Sequence, residues 1–271
     1  METITAIMIE GSTQKKLPRI VYAGDRDISV WVLRFIIKQG VKPVALMIPD
    51  ENKATHAQEL VPLCNYLDNS RILKGDQFRT ESGISLLERL NPDYITCVHF
   101  PYIVPKEVLE IPKHGVINLH PAYLPYNRGW HTPSWAIWEG TPYGATLHFM
   151  DEGIDTGDII HQKQIKILSS DTADTLYKRV MKLEFEVFKD AWSSIVFGTY
   201  SRKPQLLKEG STHNKKDIKS IQFIDLNKQV KSGELIRLLR ALTTDDIKES
   251  AYFETNGKLY RMQLRIVGGQ E

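Results

Sequence analysis

The stretch RIVYAGDRDISVWVLRFIIKQG, Arg19–Gly40, decides the fold class of this chain. Ile20–Gly24 is an apolar run that ends in glycine, as expected for a buried strand before a turn. The residues after this run have apolar side chains at helical spacing and stop at Gly40, a typical helix end. Asp27 or Ser29 is placed to cap this helix. The stretch therefore predicts a strand–turn–helix unit.

Further strands and helices alternate after this unit. We predict strands at Val44–Ile48, near Arg71, at Tyr94–Phe100 and at Val116–Leu119, and helices at Thr55–Leu63 and Glu81–Leu90. Such alternation predicts an α/β fold, a Rossmann-like and mostly parallel sheet with helices on both faces. The turn after the first strand reads AGDRD rather than G-x-G-x-x-G, so dinucleotide binding there is unsupported. In such sheets, ligands bind beyond the carboxyl ends of the strands.

The remaining pattern divides the chain into four parts. An extension at 1–18 contains a possible strand, Thr3–Ile9, and precedes a catalytic domain at 19–200. That domain ends with a strand pair, Gly144–Met150 and Asp158–Ile167, and a long helix at 171–197. A polar linker at 201–220 leads to a small unit at 221–271, with a helix at 227–242 and a hairpin turning at Asn256–Gly257.

The composition limits the class of protein. The 271 residues carry a net charge of +2, so no basic surface for nucleic acid is expected. The two cysteines, Cys64 and Cys97, lie in apolar surroundings and are expected to be reduced. Neither a signal peptide nor a transmembrane segment is apparent, and no histidine spacing indicates a metal site. We therefore expect a cytoplasmic, metal-free protein that binds neither nucleic acid nor membrane.

Two motifs carry the chemistry: GVINLHPAYLPYNRG at Gly115–Gly129 and MDEGIDTG at Met150–Gly157. Asn118 and His120 are two residues apart at a strand end, so their side chains point the same way. Asp155 lies in a glycine-flanked loop after another strand. An amide donor, a titratable ring and a carboxylate are suited to acyl transfer to an amine.

The ordered combination N-x-H-P-x-x-L-P and G-I-D-T-G resembles the 10-formyltetrahydrofolate-dependent formyltransferases. The resemblance implies that Asn118, His120 and Asp155 are catalytic, with no departure from the family pattern at these positions. Asn118 would donate to the oxyanion of the tetrahedral intermediate, and His120 would carry protons. Asp155 would either orient His120 or hold a water that relays the proton.

The resemblance also implies a folate site and an acceptor site. For 10-formyltetrahydrofolate, the cosubstrate, we expect an apolar wall from the loop after the fourth strand and contacts from the second motif: Phe100, Tyr102, Ile103, Asp151, Gly153 and Ile154. For the acceptor, we expect Gly24, Asp25, Arg26, Tyr126, Asn127, Arg128, Trp130, Tyr252 and Phe253, with Lys203 as a further candidate. A glycine turn before a helix suits an anion, whereas capping of the helix is the favoured role for Asp27 or Ser29. Arg128 would contact a phosphate or carboxylate, or pin its own loop.

The short tail after the long helix resembles that of sugar-nucleotide N-formyltransferases. It has too few residues for the larger basic domain of methionyl-tRNA formyltransferases. The resemblance implies formyl transfer to the amine of a dTDP-, UDP- or GDP-linked amino-deoxysugar, for O-antigen or other surface polysaccharide, by a homodimer. The alternatives are a methionyl-tRNA formyltransferase-like enzyme, a 10-formyltetrahydrofolate hydrolase, and a non-catalytic folate- or nucleotide-binding module. The base, the sugar and the amine position are left open.

Overall fold

A seven-stranded sheet is the frame of residues 17–267, the part of the chain that the computed structural model describes. The strands are β1 (Ile20–Gly24), β2 (Ala45–Ile48), β3 (Ile72–Lys74), β4 (Tyr94–Val98), β5 (Val116–His120), β6 (Arg128–Gly129), β7 (Gly144–Phe149), β8 (Ile159–Gln164), β9 (Thr212–His213), β10 (Ala251–Thr255) and β11 (Lys258–Met262). The helices are α1 (Arg26–Lys38), α2 (Ala57–Leu63), α3 (Glu81–Leu90), α4 (Lys106–Leu109), α5 (Thr132–Glu139), α6 (Ala173–Phe197), α7 (Lys219–Gln222) and α8 (Ser232–Ala241). The predicted strand Thr3–Ile9 lies outside the described residues.

The strand order in the large sheet is β3-β2-β1-β4-β5-β7-β8. The first five strands of this order run parallel, and β7 and β8 are antiparallel to their neighbours. The chain moves outward from β1 to β3 and then crosses back to β4 on the other side of β1. This reversal makes the crevice between β1 and β4 the topological switch point, where sheets of this kind bind ligands. The predicted α/β class with a mostly parallel sheet is confirmed.

Both faces of the sheet are buried. Along β1, Ile20 and Tyr22 join the core cluster that contains residues of α1 and α6, whereas Val21 and Ala23 join a second cluster with residues of α3. A strand buried on both sides is uniformly apolar, which explains the unbroken run in the sequence. Cys64 and Cys97 are free and buried, as expected.

A small unit comes after the long helix α6 and packs on α5. Its strands β10 and β11 form an antiparallel hairpin, and Asn256 and Gly257 both have positive φ at its turn. Such a turn matches the twist of a hairpin, so this prediction is confirmed. Trp135 of α5 packs with Ile218, Leu242 and Ala251 of the unit. Helix α8 begins at Ser232, after the predicted start at Asn227, because the backbone at its N-cap residue Lys231 is still extended.

The segment predicted as a polar linker crosses the catalytic domain instead of leaving it. We call residues 203–213 the crossing segment. The backbone of Lys203 pairs with Ile159 at 2.8 and 3.0 Å, and β9 pairs in parallel with β6. The polar composition arises because this segment bonds to neighbouring loops through backbone groups and polar side chains. Among the described residues, no helix has the length and apolar character needed to cross a membrane.

Candidate active site

Residues from the two predicted catalytic motifs meet at the carboxyl end of β5. Asn118 and His120 lie at the carboxyl end of β5, and Asp155 lies in the loop between β7 and β8. Asp155 Oδ2 is 3.6 Å from His120 Nε2, and Asp155 Oδ1 accepts from Asn118 Nδ2 at 3.4 Å. The structure therefore brings these three predicted residues into one cluster.

Asp155 is held through both its side chain and its backbone. Its backbone has a φ of +51°, which is unusual for a residue with a side chain. Gly129 N–H donates to Asp155 Oδ2 at 2.9 Å. Gln205 Nε2, from the crossing segment, donates to the carbonyl oxygens of Asp155 and Gly157 at 2.9 and 2.6 Å. The loop conformation thus depends on a side chain far along the sequence.

His148 is a fourth member of the cluster that the sequence analysis missed. It lies on β7 directly opposite Asn118, and its side chain is fully buried. Its Nδ1 donates to the carbonyl oxygen of Phe149 at 2.7 Å, so in the neutral ring Nε2 carries a lone pair. That lone pair accepts from Asn118 Nδ2 at 3.3 Å, and Asp155 Oδ1 is 3.5 Å from the same nitrogen. A histidine in a mostly apolar strand is the signal that would have drawn attention to it.

These contacts fix the orientation of the Asn118 amide. Its two hydrogens face two acceptors, the His148 ring and the Asp155 carboxylate. Both contacts are long, so they are weak compared with a hydrogen bond to a charged oxygen. A charged oxygen placed nearby would therefore compete effectively for the Asn118 N–H groups.

The electrostatics of the cluster favour a neutral imidazole beside an ionised carboxylate. Burial lowers the pKa of His120, and the nearby Asp155 charge only partly opposes this. Burial works against ionisation of Asp155, but His120 and the Gly129 N–H are among the groups that outweigh it and hold the Asp155 pKa well below its usual range. His120 Nε2 faces two acceptors, Asp155 and the carbonyl oxygen of Asn127. Nε2 therefore carries the hydrogen, and Nδ1 holds the lone pair that takes up a proton.

The residues predicted to contact folate are of two kinds in the structure. Phe100 and Tyr102 pack against each other and against Phe78, with ring centroids 5.2 to 6.1 Å apart. Ile103 and Ile154 are exposed at 84% and 47%, so they are available to a bound molecule. An apolar heterocycle is the kind of ligand that such exposed side chains suit.

Asp151 and Gly153 have a role within the loop itself. Asp151 Oδ1 accepts from the Gly153 N–H at 3.0 Å and from the Thr156 hydroxyl at 2.5 Å. A Cβ on Gly153 would lie 2.0 Å from Thr156 Oγ1. These two residues shape the turn that carries Ile154 and Asp155.

The turn after β1 contains a buried carboxylate, Asp25, and an exposed cation, Arg26. Asp25 is 3% exposed, and its carboxylate accepts from the Thr55 hydroxyl and from the N–H groups of Thr55 and His56. Asp25 is the N-cap residue of α1, so the predicted caps Asp27 and Ser29 are wrong. Gly24 allows close packing, since a Cβ there would meet Ser29 Oγ at 1.9 Å. Arg26 is exposed, with a φ of +71°.

The loop before α5 is pinned by the crossing segment. Asn127 is fully buried and donates to the Thr141 hydroxyl at 2.9 Å. Arg128 is 8% exposed and donates to the carbonyl oxygens of Ser211 and Leu207 at 3.3 and 3.5 Å. Of the two roles considered for Arg128, the structure therefore shows the internal one.

The other predicted acceptor residues are spread over the surface. Tyr126 is half-buried, and Trp130 is 44% exposed with Lys215 Nζ 4.9 Å from its ring centroid. Tyr252 contacts Phe223, and Phe253 stacks on Tyr260. In the described part of the chain, these ring contacts stay within the C-terminal unit, so the structure does not bring Tyr252 and Phe253 to the catalytic cluster.

The fold and this cluster define a formyl-transferring enzyme, and comparison with known proteins gives its family. A family model described as formyl transferase matches residues 37–192, more than half of the chain. The chain belongs to this family. A second model, described as the N-formyltransferase dimerization C-terminal domain, matches residues 217–268.

Individual relatives include two kinds of formyltransferase. A methionyl-tRNA formyltransferase from Agathobacter rectalis is 30% identical over 93% of this chain and 82% of its own length. A dTDP-4-amino-4,6-dideoxyglucose formyltransferase from Mycobacterium bovis is 34% identical over 56% of this chain and 63% of its own length.

Solved structures of sugar N-formyltransferases are also similar to this chain. A 4-N formyltransferase from Francisella tularensis has a TM-score of 0.79 at 29% identity, covering 93% of this chain and 98% of its own. The formyltransferase PseJ from Anoxybacillus kamchatkensis, solved with UDP-4,6-dideoxy-4-formamido-L-AltNAc and tetrahydrofolate, has a TM-score of 0.52 at 25% identity, covering 72% and 97%.

Replacing Gln205 with methionine tests the role of the crossing segment at the site. The variant keeps the side-chain volume but loses both donated hydrogen bonds, so the Asp155 loop relaxes. We expect kcat to fall by about tenfold to a hundredfold, because a misplacement near 1 Å at a catalytic group has an effect of this size. Steady-state kinetics measure the change. Gln263→Met is the matched control, since Gln263 Nε2 donates to the Thr244 carbonyl oxygen in the C-terminal unit. Equal kcat values in the two variants would contradict the assignment.

Proposed function

We propose that this enzyme transfers the formyl group of 10-formyltetrahydrofolate to the primary amine of a nucleoside-diphosphate-linked amino-deoxysugar. Formyl transfer follows from the family, and the cosubstrate and acceptor are the proposal. The observation that carries the chemistry is the buried cluster in which ionised Asp155 lies 3.6 Å from His120 and 3.4 Å from Asn118. The product would supply surface polysaccharide synthesis.

The residues of the cluster account for each part of the reaction. The acceptor amine attacks the formyl carbon, and the C–N bond to the folate N10 later breaks. Neutral His120 takes the proton from the amine as the new C–N bond forms, and Asp155 stabilises the imidazolium that results. Asn118 donates an N–H to the oxyanion. The proton on His120 then passes to the departing folate nitrogen, which restores the neutral ring.

The assignment of Asp155 rests on its contacts. Its Oδ2 accepts from the Gly129 N–H and faces the His120 ring, and its Oδ1 faces Asn118 and His148. A carboxylate with protein groups on both oxygens is placed to orient the ring. We therefore propose this role for Asp155 instead of holding a relay water.

The folate site in this proposal lies between two loops. Ile103 comes after the end of β4, and Ile154 immediately precedes Asp155 in the chain. Both side chains are exposed, unlike most large apolar residues of the catalytic domain. They are suited to cover the two faces of a pterin ring. PseJ was solved with tetrahydrofolate, which supports a folate at the same fold.

A sugar nucleotide is favoured as acceptor by the C-terminal part of the chain. Residues 217–268 match the C-terminal dimerization domain of N-formyltransferases, and they contain the small helix–hairpin unit. The M. bovis relative is named for a dTDP-linked amino sugar, and PseJ was solved with a UDP-linked one. We propose that the chain forms a homodimer through this unit, which exposes Phe223, Leu259 and Tyr260.

The second candidate acceptor is charged initiator tRNA. It is favoured by the A. rectalis relative, which matches 93% of this chain. The near-neutral net charge of +2 argues against it, because binding of a polyanion relies on a basic surface.

A panel assay separates these acceptors. Purified protein is incubated with 10-formyltetrahydrofolate and with dTDP-4-amino-4,6-dideoxyglucose, a UDP-linked 4-amino-4,6-dideoxy sugar, a GDP-linked amino sugar or charged initiator tRNA. We expect a formamide product, detected by mass spectrometry, with at least one sugar nucleotide. A reaction without acceptor measures formate release, which reveals a hydrolase. Turnover of tRNA alone would refute the proposal, and folate binding without any turnover would favour a non-catalytic module.

A further inference from the structure

A second buried polar cluster lies next to the catalytic one. His99 Nε2 is 2.8 Å from Glu184 Oε1, and the Tyr177 hydroxyl is 3.0 Å from His99 Nδ1. Glu184 is fully buried on α6, and its Oε2 has no hydrogen-bond partner among the described residues. His99 has a φ of +51° where the chain leaves β4. We call these residues the Tyr177–His99–Glu184 cluster.

The cluster lies at the switch point of the sheet. Gly24 pairs with Val98, and Val98 pairs with Leu119. The next residues along the three parallel strands, Asp25, His99 and His120, therefore emerge side by side at their carboxyl ends. Crevices at this position are where sheets of this kind bind ligands.

The burial of Glu184 determines which hydrogens the cluster carries. A net negative charge on a fully buried pair is costly, so the His99–Glu184 pair holds one shared proton and is neutral overall. A hydrogen on Oε2 would have no acceptor, because that oxygen has no partner among the described residues, so the proton lies either on Oε1 or on the ring as an ion pair. Both arrangements place a hydrogen on His99 Nδ1, which then donates to the Tyr177 oxygen. The hydroxyl of Tyr177 is left free to donate its own hydrogen.

The surroundings keep that hydrogen in place, and the charges near it include one cation. Burial and the nearby Glu184 raise the pKa of Tyr177 well above its ordinary value, so the hydroxyl stays protonated. Tyr177 itself is half-buried on α6. The charge of Arg26 acts on it, as do the charges of Asp27 and Asp245. In the described chain, the exposed Arg26 guanidinium makes no hydrogen bond or ion pair of its own.

We propose that the Tyr177 hydroxyl, held by the His99–Glu184 pair, and the Arg26 guanidinium together bind an anionic oxygen of the acceptor in the crevice between β1 and β4. The assignment rests on the proposed function, in which the acceptor carries a diphosphate. A neutral donor beside a cation is a suitable pair for such a group. Binding there places the rest of the acceptor towards His120, one strand further along the sheet.

Replacing Tyr177 with phenylalanine tests the assignment, because it removes one oxygen and keeps the ring. We expect the KM for the sugar nucleotide used by the wild type to rise about tenfold, the change that the loss of one hydrogen bond to a charged group produces. The kcat value and the KM for 10-formyltetrahydrofolate should stay within about twofold, which a general structural defect would not allow. Tyr66→Phe is the control, since the Tyr66 hydroxyl donates to the Pro43 carbonyl oxygen ahead of β2.

Arg26→Ala provides a second variant that does not depend on a buried group. We expect a similar rise in the KM for the acceptor. In the double variant, the KM should rise by less than the product of the two single effects, since both groups bind the same anionic group. Unchanged acceptor KM values in Tyr177→Phe and Arg26→Ala, with an active wild type, overturn this assignment alone. A wild type that formylates none of the sugar nucleotides overturns both this assignment and the proposed function.

Discussion

We expect Asp155→Asn to lower kcat/KM for formyl transfer by about three to four orders of magnitude, the size of effect seen when a carboxylate that orients a catalytic histidine becomes an amide. The change removes the charge that stabilises protonated His120, whose Nε2 is 3.6 Å from Asp155 Oδ2. It also turns one acceptor oxygen into a donor. That donor then faces either the Gly129 N–H or the Asn118 amide, both of which are donors themselves.

The same coupled assay measures wild type, variant and a control from the same loop. Asp158→Asn is the control, because Asp158 is a half-buried carboxylate whose side chain pairs with Arg202 at 3.4 Å. The control should keep its rate to within about twofold, as surface ion pairs contribute little. A rate for Asp155→Asn within tenfold of the wild type would remove Asp155 from the mechanism.

We expect His120→Asn to lower kcat by about two to four orders of magnitude, the usual contribution of a general acid–base residue. It also changes the pH dependence. Burial lowers the pKa of His120 below its ordinary value of 6.5, and only the neutral ring accepts a proton. Wild-type kcat/KM is therefore constant near neutral pH and falls as the pH drops through the lowered pKa of His120.

In His120→Asn, the fall of kcat/KM at acidic pH (the acid limb), which we assign to the His120 ring, should disappear. His161→Asn is the matched control, because His161 lies on β8 and its half-buried side chain is 3.7 Å from Asp190. Profiles of kcat/KM between about pH 4.5 and 8 measure the effect. An acid limb that persists in His120→Asn and vanishes in the control would assign the titration to another group.

The parts of the fold that depend on local pattern were predictable. The run Ile20–Gly24 is buried on both faces and is apolar throughout, so it was recognisable as a strand. The Asn256–Gly257 turn has the two positive φ angles that this residue pair favours. Asn118 and His120 could be placed together because residues two apart on a strand share a face.

The features that escaped prediction depend on contacts between distant segments. His148 joins the cluster because β7 runs antiparallel beside β5 and brings it opposite Asn118, and no local pattern specifies that register. Gln205 reaches the Asp155 loop from 50 residues further along the chain. Asp25 was expected at the acceptor, but its carboxylate is satisfied by the chain around Thr55 and His56. Gln205 and Asp25 lie in polar stretches whose sequence looks like that of an exposed loop.

The crossing segment has a consequence for how this enzyme can be rearranged. Residues 203–213 complete the catalytic loops through Gln205 and β9, although they come after the last helix of the catalytic domain. A chimera joined near residue 200 would therefore take its catalytic loops from one parent and the crossing segment that contacts those loops from the other. The two segments must fit closely at Gly129, because a Cβ there would lie 2.3 Å from the His213 carbonyl oxygen. Exchange of acceptor preference between relatives thus requires the catalytic domain and crossing segment to be inherited as a single module, with the junction placed after residue 213.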